Sequence, residues 1–176
     1  LKQEGRGVLH HPPEVHYTHW AAERTIDFIK NRDDSRPFFA MMSVFDPHDP
    51  YEDWPEEMAE LIDGDKIPDP LIIDGEMDRL PTGVRQEHER CAAGGFDTFT
   101  PEQLRRIRFG YHASIAFADR EMGRVLDALR DQGLEENTLV IFVSDHGDML
   151  GDHSLLIKGA FPFEQNVHVP LIMKWP

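Results

Sequence analysis

The chain has 176 residues and a formal net charge of −15, and 40% of its residues are hydrophobic. That charge repels phosphate backbones and anionic lipid, which disfavours nucleic-acid and membrane-surface roles, and no apolar run approaches the ~20 residues of a membrane span. The length suits one domain or a piece of a larger one; Leu1-Lys2-Gln3 shows neither Met nor a signal-peptide pattern and reads as a start within a longer protein; the lone Cys91 excludes an internal disulfide framework.

Residues 1–15 are rich in Gly and Pro and read as loop, and His10, His11, His16 and His19 read as surface residues rather than a metal cluster. Residues 17–30, with Trp20, Ala21, Ile26, Phe28 and Ile29, form an amphipathic pattern with Thr18 as a candidate cap. The polar run 31–37 contains Asp33-Asp34, which follows a helix among other charges and reads as solvated loop. Residues 38–44 are apolar on both faces, as expected of a strand in a helix-covered sheet. The run ends in Phe45-Asp46-Pro47-His48-Asp49-Pro50, where the two prolines stop the strand and stiffen the loop that carries His48.

Residues 46–98 read as an irregular excursion broken by Pro, Gly and acids. Arg79, Arg85, Arg90 and His88 can meet an anion there, but each reads first as part of a solvated loop, and Cys91 reads as inert. Thr100-Pro101-Glu102-Gln103 carries three helix-start signals. The stripe Leu104, Ile107, Tyr111, Ile115, Ala118, Met122, Val125 and Leu129 then predicts a helix of about 45 Å to Arg130, stopped by Gly133. Asp119 and Arg120 read as a surface ion pair and His112 as a helix-face residue.

Residues 139–158 organise the rest. Leu139-Val140-Ile141-Phe142-Val143 is a buried-strand signal that stops at Ser144-Asp145-His146-Gly147-Asp148. Asp145 and His146 therefore sit at a strand's C-terminal end, where open α/β sheets place their ligands. A carboxylate oxygen beside an imidazole nitrogen suits a divalent cation; a polar strand-to-helix loop with Asp as a cap fits the same spacing. Asp152, His153 and Lys158 follow within the stretch. Residues 167–175 read as a last strand, with Pro170 at its start or on an edge.

Ser144-Asp145-His146-Gly147-Asp148-Met149-Leu150-Gly151-Asp152-His153, then Lys158, Phe163-Glu164 and Val169-Pro170-Leu171-Ile172, resembles the C-terminal part of the sulfatase catalytic domain. It is most similar to the iduronate-2-sulfatase-like and choline-sulfatase-like branch of that family, within the alkaline phosphatase superfamily. The strand followed by Pro47-His48-Asp49-Pro50 is a second signature in family order. The resemblance implies that Asp145 and His146 bind a divalent metal, most often Ca2+, and that Lys158 and His48 contact the sulfate ester and act as catalytic groups. It implies a formylglycine nucleophile made from Cys or Ser in an x-Pro-x-Arg context. That context is absent from these residues and is expected in an N-terminal part. Family members are often exported to the periplasm or secreted.

The alternation of elements predicts an α/β fold, a largely parallel sheet sandwiched by helices and incomplete, with a right-handed crossover through residues 101–130; the resemblance implies that this fold is alkaline-phosphatase-like. Residues 1–176 are thus expected to be a partial sulfatase catalytic domain, inactive alone, whose partner is a sulfated small molecule or sulfated glycan. A phosphonate or phosphate monoester hydrolase of the same superfamily, a non-catalytic sulfated-glycan-binding remnant and a purely structural α/β domain are the competing readings.

Overall fold

The computed structural model describes residues 11–91, 95–159 and 161–176. His10 lies outside them. The described residues fall into two compact units. One takes in residues 11–63, Gly110–Val140 and Lys174–Pro176; the other takes in Gly64–Phe109 and Ile141–Met173.

In the first unit, helix α1 spans Tyr17–Asn31 and buries Thr18, Ala22, Ile26 and Ile29, a spacing that keeps one stripe inward. Trp20 and Phe28 stay exposed. Ile26 and Ile29 pack with Ala128 and Leu129 of helix α3 (Pro101–Asp131), and Phe38, Val125, Leu134 and Val140 close around them. The start of α3 is a reciprocal capping box: Thr100 N–H donates to Gln103 Oε1 at 2.7 Å, and Gln103 N–H to Thr100 Oγ1 at 3.2 Å. Its end is sealed by Gly133 at φ 67°, with Leu134 N–H reaching back to Leu129 C=O at 2.9 Å. The cap at α1 differs from expectation. His16 occupies the N-cap without a side-chain cap bond, and Thr18 is buried, donating instead to Asp46 Oδ2 at 2.5 Å.

In the second unit, Met149, Leu155 and Phe161 form a core against which Met77, Val84 and Phe163 pack. Strand β1 (Val140–Val143) pairs with β2 (Leu171–Lys174) in a two-stranded sheet. Two expectations change here. Residues 38–44 form no strand and join no ladder among the described residues, and Phe39 and Met41 are 87% and 79% exposed. The last strand begins at Leu171, because Val167 closes the short helix α4 (Glu164–Val167). A helix-covered parallel sandwich is therefore not what these residues display. The apolar side chains that predicted one stand exposed at Ile141, Val143, Leu171, Ile172 and Met173.

The excursion 46–98 is more ordered than its composition suggested. It contains helix α2 (Thr82–Arg90) and 3-10 turns at Glu56–Leu61, Gly64–Lys66, Met77–Arg79 and Phe96–Thr98. Hydrophobic periodicity was silent because Val84 is the only aliphatic residue of α2. No helix among the described residues is long and apolar enough to cross a membrane.

Candidate functional site

Asp145 and His146 follow β1 directly. Asp145 is 87% exposed on its side chain and its Oδ2 lies 3.8 Å from His146 Nε2. Asp145 Oδ1 accepts the His146 N–H at 2.9 Å, which holds the carboxylate over its own loop. The His146 Nδ1 faces the Gly147 carbonyl at 2.8 Å. A ring nitrogen against a carbonyl oxygen carries the hydrogen, so in a neutral ring Nε2 has the lone pair. That is the tautomer of a histidine ready to ligate a metal, with its other nitrogen tied to backbone.

The donors thus fit a divalent cation in kind: one hard oxygen and one imidazole nitrogen side by side. They fit it only as part of a set. No group of three or more His, Cys, Asp or Glu is arranged to hold a metal among the described residues, whereas Ca2+ takes about six to eight ligands.

Gly147 is fixed by crowding. A Cβ there would overlap the Gln165 carbonyl oxygen, and Gly147 N–H donates to Asn166 C=O at 2.9 Å. The chain then enters a turn in which Leu150, His153, Ser154 and Ile157 all have positive φ, between 47° and 56°, together with Gly151 at 99°. Left-handed conformations are costly for side-chain-bearing residues, and such clusters persist where surrounding contacts over-determine them.

Those contacts are unusually many. Asp152 Oδ1 accepts from Leu71 N–H at 3.0 Å and from Arg108 Nη1 at 3.2 Å, and Asp152 Oδ2 accepts from Gln165 Nε2 at 2.9 Å. Arg108 Nη1 also donates to Leu150 C=O at 3.0 Å. His153 stacks on Phe163 at 4.3 Å and sets its Nδ1 3.0 Å from Glu76. His88 Nδ1 meets the Ser154 carbonyl at 2.8 Å. Lys158 leaves this turn half-buried.

His48 belongs to the first unit, whereas Asp145, His146 and Lys158 belong to the second. Its ring stacks on Phe45 at 4.3 Å, and its Nδ1 lies 2.7 Å from the Asp49 carbonyl and 3.1 Å from Asp49 Oδ1. Two acceptor oxygens assign the hydrogen to Nδ1. The loop is anchored by Asp46. Burial pushes the Asp46 carboxyl above its ordinary range, against the opposing hydrogen bond from Thr18.

Several expectations about individual residues change. His16 is buried beside Asp53, 3.3 Å away, with its ring edge-on to Phe117. His19 Nδ1 pairs at 3.1 Å with Glu121, a buried carboxylate also held by Arg124. Neither is a surface loop residue. Arg120 pairs with Glu57 and Glu121 rather than Asp119. Asp33 caps its own loop through Ser35 and Asp34 pairs with Arg32, both local. Among the loop cations, Arg85 is tied to Asp78 C=O and Thr82, and Arg79 and Arg90 are exposed. Arg108, Glu76 and Gln165 escaped sequence reasoning: each lies far along the chain from its partner, and a lone polar residue carries no periodic signal.

By structure, the chain superposes on the phosphonate monoester hydrolase of Agrobacterium radiobacter with a TM-score of 0.80 and 29% identity, over 93% of this chain and 34% of that one. This places it among alkaline-phosphatase-like folds. By sequence, a family model for sulfatases matches residues 5–176. The chain is 36% identical over 162 residues to an arylsulfatase of Clostridium perfringens strain 13, covering 92% of this chain and 32% of the relative. It is 32% identical over 170 residues to human iduronate 2-sulfatase, covering 89% and 30%. The chain belongs to the sulfatase family of the alkaline phosphatase superfamily. It spans about a third of the length of the curated relatives it matches.

Proposed function

We propose that this chain carries part of the active site of a metal-dependent sulfatase that hydrolyses sulfate monoesters of a small molecule or a glycan. The observation that supports this most directly is the paired donor set after β1, with Asp145 Oδ2 and His146 Nε2 3.8 Å apart and the His146 tautomer set by Gly147. Asp145 and His146 would hold a divalent cation, Ca2+ by family resemblance, with further ligands from the rest of the protein. When bound, such a cation supplies Lewis-acid charge to the sulfate oxygens.

The chain's own residues do the remaining work on this reading. Lys158 brings a fixed positive charge to an anionic ester in a protein whose net charge is −15, so the attraction has to be local. His48, at the sulfate by the family resemblance, stabilises the leaving oxygen and assists proton transfer to it. Neither Cys-x-Pro-x-Arg nor Ser-x-Pro-x-Arg occurs in the 176 residues. The nucleophile, a formylglycine by resemblance, then comes from elsewhere in the protein, and residues 1–176 alone are inactive.

The test is turnover of 4-nitrophenyl sulfate by the full protein and by its Asp145→Ala and Lys158→Ala variants. Each substitution is expected to lower kcat/KM by at least ~100-fold, the scale of a lost transition-state contact. Normal turnover in both would sink the assignment. A second reading, phosphonate or phosphate monoester hydrolysis at the same residues, is favoured by the 0.80 TM-score to a phosphonate monoester hydrolase. Faster turnover of phenylphosphonate monoesters than of aryl sulfates would select it.

A further inference from the structure

We propose that Arg108, Asp152 and Gln165 are positioning residues for Lys158, an inference that rests on Lys158 contacting the sulfate group. Four side-chain-bearing residues with left-handed backbone lie between His146 and Lys158, at positions 150, 153, 154 and 157. Relaxed toward ordinary angles, this segment would carry Lys158 to a different place, so something must hold it.

What holds it is the hub on Asp152. Its carboxylate takes three N–H groups from separate segments: Leu71 in the excursion, Arg108 on α3 and Gln165 in α4. Arg108 is 8% exposed and closes the hub onto Leu150, the first left-handed residue. Gln165 also works at the other end of the loop, because its carbonyl is the group that crowds Gly147 beside His146. One residue thus touches both arms that lead to Asp145–His146 and to Lys158.

The hub is also not optimised for stability alone. Arg108 Nε and Gln165 Oε1 are buried without a hydrogen-bond partner among the described residues. Unsatisfied buried atoms and strained backbone both cost free energy, and here they converge on one turn. Rules broken together in this way mark places where geometry is kept for function.

The experiment is a double-mutant cycle in the full protein, read by 4-nitrophenyl sulfate turnover and by binding of inorganic sulfate in calorimetry. Asp152→Asn should lower kcat/KM by ~10–100-fold, the scale of an ångström-sized misplacement, and weaken sulfate binding in step. In a Lys158→Ala background the same substitution should cost less than about 2-fold, because its target is already gone. Gln165→Leu, which leaves the ion pair intact, should show the same non-additivity at smaller size, and it carries the test if Asp152→Asn does not fold. Arg108→Lys should retain part of the activity lost in Asp152→Asn. Equal losses from the hub variants with and without Lys158 would overturn the positioning role and leave a structural one. A Lys158→Ala variant with the parent's turnover and sulfate binding would instead overturn the sulfate-contact reading, and this inference with it.

Discussion

The Gly147→Ala substitution tests the geometry of the site loop most directly. Its hydrogen is replaced by a methyl whose carbon would fall inside the Gln165 carbonyl, with the carbonyl carbon at 2.9 Å and Asn166 Cα at 3.4 Å. Comfortable contact requires the two backbones to separate by about 1 Å or more. The Gly147 N–H bond to Asn166 C=O, now 2.9 Å, cannot survive that movement. Overpacking costs ~1–3 kcal/mol and the lost hydrogen bond ~0.5–1.5 kcal/mol. The expected destabilisation is therefore about 2–4 kcal/mol, read from urea unfolding of the full protein. Gly123 in α3 supplies the control: nothing lies within 4 Å of its added Cβ. Gly123→Ala should stabilise by roughly 0.5–1 kcal/mol through helix propensity. A Gly147→Ala variant within about 1 kcal/mol of the parent would show that β1's exit loop is not braced by α4 as described.

Two further outcomes follow from the first unit. The Asp46 carboxyl has its folded pKa raised above 3.8 by burial, so its contribution to stability is fully present below that value and is lost as pH rises through the raised folded pKa. Asp46→Asn keeps an acceptor for Thr18 and cannot ionise; its urea midpoint should gain on the parent between acid and neutral pH, and a parallel pH profile would contradict the burial. Phe117 is 0% exposed, edge-on to His16 at 5.0 Å and beneath Arg120 at 5.1 Å. Phe117→Ala should cost ~3–5 kcal/mol in the same unfolding assay, and a loss below about 1 kcal/mol would mean that the site collapses around the gap.

What the sequence made legible follows the range of the interactions involved. The capping box at Thr100–Gln103, the stripe of α3 and the glycine stop at Gly133 are local, and each was readable because a fixed spacing imposes them. The β1 signal and the Asp145–His146 motif were readable for the same reason. The strand expected over 38–44 failed differently: its apolar residues are real, but a strand is defined by a partner, and no spacing within the segment announces whether one is present. His16 and His19 were misplaced because burial is decided by Phe117 and Glu121, about a hundred residues away. The Asp152 hub was invisible on the same grounds, since its donors come from Leu71, Arg108 and Gln165.

One device recurs at His48 and His146 and ties the local to the distant. His48 turns Nδ1 to the carbonyl of Asp49 at 2.7 Å, and His146 turns Nδ1 to the carbonyl of Gly147 at 2.8 Å. In each case the next residue's backbone carbonyl, not a remote carboxylate alone, faces Nδ1 and favours the tautomer with its hydrogen there. The following residue must then present its carbonyl sideways, which a continuing strand or helix would not allow. At His48, Pro50 ends any regular structure two residues on; at His146, Gly147 is the position where the Gln165 carbonyl forbids a side chain. On the reading proposed above, the proline and the glycine near these histidines contribute to the chemistry. They fix where a carbonyl points, the carbonyl fixes where a hydrogen sits, and on that reading the hydrogen decides which nitrogen is left for the ester or the metal.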